Sequence, residues 1–331
     1  MVPDPEHKPV SDDRADRLKS LRKKLSKLNR QAMPDTPPAA SREGGASLAR
    51  HGQTGTGVPP AAPRKRDPGT ILYARDLPRE KPRRVRGGGG ICLPLERCLD
   101  GCEAPSAVGP PFYLIERSLA EAEEEPDGHT LPALLADSLD TLARREAVDG
   151  QPPPPVAPEQ VCFLDLETTG LGSCPVFLIG TLVCRDGQMF CRQFLARTYA
   201  EELSIVHAYA QQVGESTMLV TFNGKTFDVP FLRTRAAATG VTLPEPTEHF
   251  DLLHAARRAF RNRLPDCKLQ TLERYVCGRH RGDDIPGSDI PAAYHDFVHS
   301  GDARQIALIA KHNQWDLVTM VHLMAKIMRD A

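Results

Sequence analysis

The sequence predicts an α/β fold: a mixed sheet of five strands flanked by helices, in the C-terminal half of a 331-residue chain. Three observations predict it. After the proline run QPPPPVAP the texture changes to alternating strand-like and helix-like segments. Two of the strand segments are joined by Asp186-Gly187, a dipeptide that turns a hairpin. The later strands each lead into a helical segment, which is the pattern of a mixed sheet with helices on its faces.

Taken in order, VCFLDLE is an apolar run long enough for a buried strand, and PVFLIGTLVCRDG and QMFCRQFLA are the two strands of the hairpin. AEELSIVHAYAQQV reads as a helix and MLVTFN as a fourth strand. DVPFLRTRAAATG is a helix with Pro near its start and Gly at its end. A short extended HF, a helix from Asp251, another around LQTLERYVCG and a long closing helix from about Asp302 complete a unit spanning residues 161–331.

The preceding half is different. Residues 1–160 hold most of the 30 prolines and 25 glycines. Residues 1–70 lack the apolar content to bury a core and are expected to be largely disordered. Within them Leu18, Leu21, Leu25 and Leu28 recur at helical spacing among Lys and Arg, predicting a short amphipathic helix over 14–30, either solvated or a docking element. Apolar runs return over 71–150, where PFYLIERSL looks like a strand and LPALLADSLDTLARR has helical periodicity, so a small acidic accessory element is expected there. Residues 151–160 read as a stiff proline linker.

The formal net charge of −1 conceals an asymmetry: 20 Lys+Arg against 10 Asp+Glu over 1–90, 4 against 13 over 91–150, and 18 against 20 over 151–331. Binding to a polyanion must therefore rest on particular clusters. No run of eighteen apolar residues exists, which excludes a membrane-spanning helix. MVPDPEHKPV does not resemble a signal peptide, so a cytoplasmic chain is expected. The nine cysteines are odd in number and irregular in spacing, and read as thiols. Cys92, Cys98 and Cys102, with His129 further on, lack the paired spacing of a zinc knuckle.

The chemistry lies where the strands end. In FLDLETTGL, Asp165 and Glu167 are two residues apart on a strand and point to one face. Two carboxylates that close require an offsetting cation if they are buried together; the alternative is an exposed strand end with scattered acids. A third acid, Asp228 of VTFNGKTFDVPFL, begins a helix after the Asn223-Gly224 turn, where a lone carboxylate would be an ordinary helix start. A fourth, Asp316 of IAKHNQWDLVTMVHL, stands four residues after His312, so both share one helix face.

These motifs, DLETTG, NGKTFD and HNQWD in that order, resemble those of the DEDD 3′→5′ exonucleases of the ribonuclease H-like superfamily. With RGDDIPGSDIPAAYHDFVHSGD between the second and third, they resemble its YprB-like subgroup. The resemblance covers about residues 161–328. It implies that Asp165, Glu167, Asp228 and Asp316 bind two divalent metal ions, Mg²⁺ or Mn²⁺, and that His312 orients or deprotonates the attacking water. It also implies that Thr168, Thr169, Asn223 and Phe227 line a terminal-nucleotide pocket; Phe227 could equally belong to the core. In the superfamily a catalytic His commonly precedes the last Asp by five residues and a catalytic Tyr by four, so His312 stands at the Tyr spacing.

Hard carboxylate oxygens suit such ions, and two of them serve phosphodiester hydrolysis. For the substrate side, Arg257, Arg258, Arg261, Arg263, Lys268, Arg274, Arg279 and Arg281 fall in a stretch with only Asp266 and Glu273 as acids. Beside an acidic site, Arg257, Arg258 and Arg261 read as phosphate contacts, with Lys225 another, though a solvated face is the plainer explanation of a charge run. The expected function is a metal-dependent nuclease on DNA or RNA, in repair or processing. The alternatives are a structure-specific endonuclease and a non-catalytic nucleic-acid-binding module. The resemblance further implies a helicase partner.

Overall fold

The computed structural model of the chain describes residues 92–119, 130–147, 151–170, 174–282 and 284–330. The expectations for residues 1–70, including the helix over 14–30, and for His129 lie outside the described residues. The strands are β1 (Cys102–Ala104), β2 (Phe112–Ser118), β3 (Val161–Thr168), β4 (Val176–Arg185), β5 (Gln188–Leu195), β6 (Met218–Thr221) and β7 (Glu248–Asp251). The helices are α1 (Leu95–Cys98), α2 (Leu131–Arg145), α3 (Glu202–Val213) and α4 (Asp228–Thr239), then α5 (Leu252–Phe260), α6 (Leu269–Tyr275), α7 (Ile290–Ser300) and α8 (Arg304–Asp330).

The most apolar strand takes the most enclosed place. β3 lies between antiparallel β4 and parallel β6, and β4 is buried along its whole length except Arg185. Strands enclosed on both faces read as continuous hydrophobic runs rather than alternating ones. β4 turns into β5 through Asp186 and Gly187, whose φ angles of 49° and 71° are those of a two-residue primed turn. β6 and β7 follow in parallel on the other side of β3, giving β5-β4-β3-β6-β7 for the strands expected from sequence.

The sheet has seven strands, not five. β2 pairs antiparallel with β5 from Tyr113↔Leu195 to Ser118↔Phe190, and β1 pairs with β2, so the segment expected to be a separate accessory element is built into the sheet. The physical reason is the edge of β5: its unpaired N–H and C=O groups and apolar side chains need a cover, and FYLIERS supplies one.

Alternate residues of β3 enter two cores. Cys162, Leu164 and Leu166 pack with α3, α4 and α7, whereas Val161 and Phe163 pack with α2, α5 and the second half of α8. Asp165 and Glu167 share the parity of the second set. The 27-residue α8 contributes Ile306, Ile309 and Ala310 to the first core and Leu317 onward to the second, so its middle passes the end of β3. That middle carries His312 and Asp316. Among the described residues no helix is long and apolar enough to cross a membrane, and all nine cysteines are free thiols.

Candidate active site

The first two carboxylates are positioned by β3. Its pairing with β4 shifts register between Glu167 and Thr168, a bulge at the point where the strand leaves the sheet. Beyond it, Thr168 Oγ1 donates to Gly170 O at 2.8 Å and Thr169 Oγ1 to Pro175 O at 3.2 Å. Both hydroxyl protons are taken up by backbone carbonyls just beyond the strand.

Asp165 is held by a residue the sequence reading passed over. Asn313 Nδ2 donates to Asp165 Oδ2 at 2.8 Å and to the Asp165 carbonyl at 3.2 Å. The amide is oriented in turn by Gln193, whose Nε2 donates to Asn313 Oδ1 at 2.8 Å and to Ala310 O at 2.6 Å. Asn313 is fully buried, and room for it exists because position 180 is glycine. A Cβ there would lie 1.9 Å from Asn313 Oδ1.

The second motif is shaped by another overlooked residue. Asp251 ends β7 and caps α5 by accepting from Leu253 N at 3.1 Å. The same carboxylate accepts from Asn223 N at 2.8 Å and Lys225 N at 3.0 Å, fixing the turn before Asp228. Asn223 has φ of 66°, a conformation asparagine tolerates. Gly224 lies against Thr221, too close for any side chain. Asp228 then opens α4, buried. Phe227 packs against Phe231, ring centroids 5.7 Å apart, at the rim of the first core.

The third motif arrives on α8. His312 Nδ1 lies 2.7 Å from Asp284 Oδ1, and His312 Nε2 lies 3.5 Å from Asp316 Oδ2. The imidazole thus stands between two carboxylates, Asp284 at Nδ1 and Asp316 at Nε2.

The electrostatics of the set are dominated by burial. Desolvation first, then repulsion from Asp316, Glu167 and Asp228, raises the Asp165 carboxyl well above the usual range, against the Asn313 hydrogen bond. Glu167 is raised in the same way by burial and by Asp316, Asp228 and Asp284, with Arg281 opposing. Burial also lifts Asp228 to about 7, Asp251 and Asp316 adding to it, while the backbone amides of Asp228 and Leu166 favour the charged form. The four acids therefore act on one another as a single cluster.

Among the described residues no three acidic, His or Cys side chains are already gathered around one point so as to ligate an ion. The chemistry of the donor set nevertheless fits divalent cations: four hard carboxylates, three of them desolvated and raised by repulsion from the others. One cation is already there. Arg281, nearly buried, donates from Nη2 to Asp316, from Nε to Glu273 at 2.6 Å and from Nη1 to Asp284 at 3.4 Å.

The basic run thus divides. Arg281 belongs to the acid cluster. Arg257 and Arg261 border a cleft that includes Asn223, while Arg258 and Arg263 line a separate cleft with Arg145 and Met328. Arg279 meets His322, and Arg274 lies over Tyr275. Of the three arginines expected to contact substrate together, the structure places two beside the second motif and one elsewhere. Lys225 is exposed next to Asn223.

Residues 162–328 match the sequence model of the RNase_H superfamily. The chain is 32% identical over 178 residues to an uncharacterized protein, YprB, of Bacillus subtilis (strain 168), an overlap of 51% of this chain and 43% of that one. It thus spans less than half the length of this relative. Among solved structures it is similar to a family B DNA polymerase from Pyrobaculum calidifontis, with a TM-score of 0.42 and 20% identity over 53% of this chain and 25% of the polymerase.

Proposed function

Because the chain belongs to the RNase_H superfamily, we propose that it is a metal-dependent nuclease, and within that class a 3′→5′ exonuclease hydrolysing phosphodiester bonds of DNA or RNA. The observation that carries the reading is the cluster of Asp165, Glu167, Asp228 and Asp316. These acids come from β3, α4 and α8, and burial and mutual repulsion raise the first three. A fold does not keep such a cluster for stability, since each ionised carboxyl in it costs free energy unless a cation offsets it.

In this reading the four carboxylates hold two divalent ions, Mg²⁺ or Mn²⁺. Such ions supply the charge that activates a water and stabilises the leaving oxygen of an in-line displacement. The protein's own part is placement and proton transfer. Asn313 fixes the Asp165 carboxyl, and Asp251 fixes the turn that delivers Asp228. Asp284 holds the imidazole of His312 so that Nε2 takes the proton of the attacking water. Lys225 offers an exposed ammonium to a substrate phosphate.

The test is digestion of end-labelled single- and double-stranded DNA and RNA by the purified full chain with Mg²⁺, Mn²⁺ or EDTA, alongside Asp165→Ala and Asp316→Ala. Metal-dependent cleavage abolished in both folded variants is expected, and undiminished cleavage by them would sink the assignment. End-blocked and circular substrates separate exonucleolytic attack, which they resist, from endonucleolytic attack.

A further inference from the structure

The cation that the acid cluster already holds is placed to be exchanged. Both oxygens of Asp316 face a nitrogen: Oδ1 accepts from Arg281 Nη2, and Oδ2 lies 3.5 Å from His312 Nε2. An ion that takes Asp316 as a full ligand must therefore evict the guanidinium from Oδ1. Arg281 also stands near enough to Glu167 to favour its charged form. In the metal-free protein it is a positive charge inside a group of carboxylates that need one.

Arg281 is attached in a way that leaves its tip free to turn. Glu273, which belongs to none of the three acid motifs, is buried on α6 and accepts from Arg281 Nε at 2.6 Å. Burial raises the Glu273 carboxyl and the guanidinium opposes that rise, so each needs the other. The bond is made at Nε, next to the stem of the side chain, rather than at the two Nη groups. Nη1 lies 3.4 Å from Asp284 Oδ2, and Asp284 Oδ1 meets His312 Nδ1 at 2.7 Å. A second partner is thus within reach of the guanidinium without its leaving Glu273.

We propose that Arg281 is a displaceable internal counter-ion that decides which cations the site admits: tethered by Glu273, it occupies Asp316 until a divalent ion moves it toward Asp284, and it keeps monovalent ions out. The proposal rests on the metal-binding part of the nuclease reading and adds its ion selectivity. The selectivity follows from charge. A monovalent ion brings Asp316 no more charge than the guanidinium already supplies, and its entry forfeits a charge-assisted hydrogen bond. A divalent ion brings twice the charge to the same hard oxygens.

A reporter stands beside the exchange. Trp315 is the only tryptophan of the chain, and its ring centroid lies 5.8 Å from Arg281 Cζ and 4.4 Å from Lys311 Nζ. A guanidinium over the ring interacts with its π electrons, so its departure alters the emission of Trp315.

The test titrates the full chain with Mg²⁺ or K⁺ at constant ionic strength, reading heat by calorimetry and Trp315 by fluorescence, in the wild type, Arg281→Gln and Arg274→Gln. Arg274 is exposed on the same stretch and controls for the loss of one positive charge. Mg²⁺ should change wild-type emission along the calorimetric binding curve, and K⁺ should not. Arg281→Gln should bind Mg²⁺ roughly tenfold more tightly, as expected for a lost hydrogen bond between charged groups, with little change in emission. Arg274→Gln should follow the wild type. Wild-type emission unmoved while Mg²⁺ binds, or moved as far by K⁺, would overturn the exchange and leave the nuclease reading standing, whether or not the variants fold. So would an emission change in Arg281→Gln as large as the wild type's, or equal tightening in Arg274→Gln. Neither heat nor emission change with Mg²⁺ in both the wild type and Arg281→Gln would overturn both.

Discussion

Asp228→Asn should make the metal-free protein more stable while destroying its activity. Burial lifts the Asp228 carboxyl from 3.8 to about 7, and each pKa unit corresponds to about 1.36 kcal/mol, so its ionisation at neutral pH costs the fold roughly 4 kcal/mol. Asparagine removes the charge and keeps an oxygen to accept from the Leu166 amide. For a folded body of this size about 1 kcal/mol moves the melting temperature by roughly 2–4 °C, which gives an upper expectation of about 8–16 °C. The sign in pH follows from the same shift. A carboxyl whose folded pKa is raised is protonated more readily in the folded state, so wild-type stability in EDTA should rise as pH falls through about 7 toward 4. The variant should show a flatter profile over that window. Calorimetry in EDTA, repeated with Mn²⁺, makes the comparison: the wild type should gain stability from the ion and the variant should gain less. A variant that melts at or below the wild type in EDTA would refute the claim that the acids are held against their own repulsion.

Three further outcomes are expected. His312→Ala should lower kcat by roughly 10²- to 10⁴-fold with Mn²⁺ affinity nearly unchanged, and Asp284→Asn should lose part of the same factor by freeing the ring; single-turnover rates and ion titrations measure this. Arg281→Gln should tighten Mn²⁺ binding by roughly tenfold, about 1.4 kcal/mol, because the ion no longer competes with a guanidinium for Asp316, and titration calorimetry reads it directly. Gly180→Ala should destabilise the protein by roughly 1–3 kcal/mol, as overpacking does, since Asn313 Oδ1 occupies the space the methyl needs; chemical denaturation would show it.

What the sequence revealed and what it hid divide along a physical line. Strands β3 to β6 were legible because long apolar runs and the Asp186-Gly187 turn are local signals. The four acids were legible because they lie in compact motifs. The partners that hold them were not, because Asn313 reaches Asp165 across 148 residues and Asp251 reaches Asn223 across 28. Asn313 sits inside HNQWD, but nothing local distinguishes it from a surface amide; the glycine that admits it is on another strand. Arg281 illustrates the opposite error. Grouped with its neighbours by sequence it looked like one cation among eight, and only the fold turns it inward to Asp316. β2 was legible in PFYLIERSL, but its place in the sheet was hidden by the proline segment, which reads as a separator although Val156 within it packs against the second core.

The pairing of β2 with β5 changes where the chain can be divided. Cutting at the prolines would seem to liberate an independent C-terminal half, yet six residues of β5 would lose their ladder partners from Tyr113 to Ser118. The leucines of α2 that cover the face shared with α8, Leu131, Leu135 and Leu142 among them, would leave with the discarded piece. The remaining fragment would present an open, apolar strand to any similar strand it met, the circumstance in which proteins associate edge to edge. A minimal fragment must therefore begin upstream of Cys102, so β1, β2 and α2 travel with the rest of the sheet as part of its architecture.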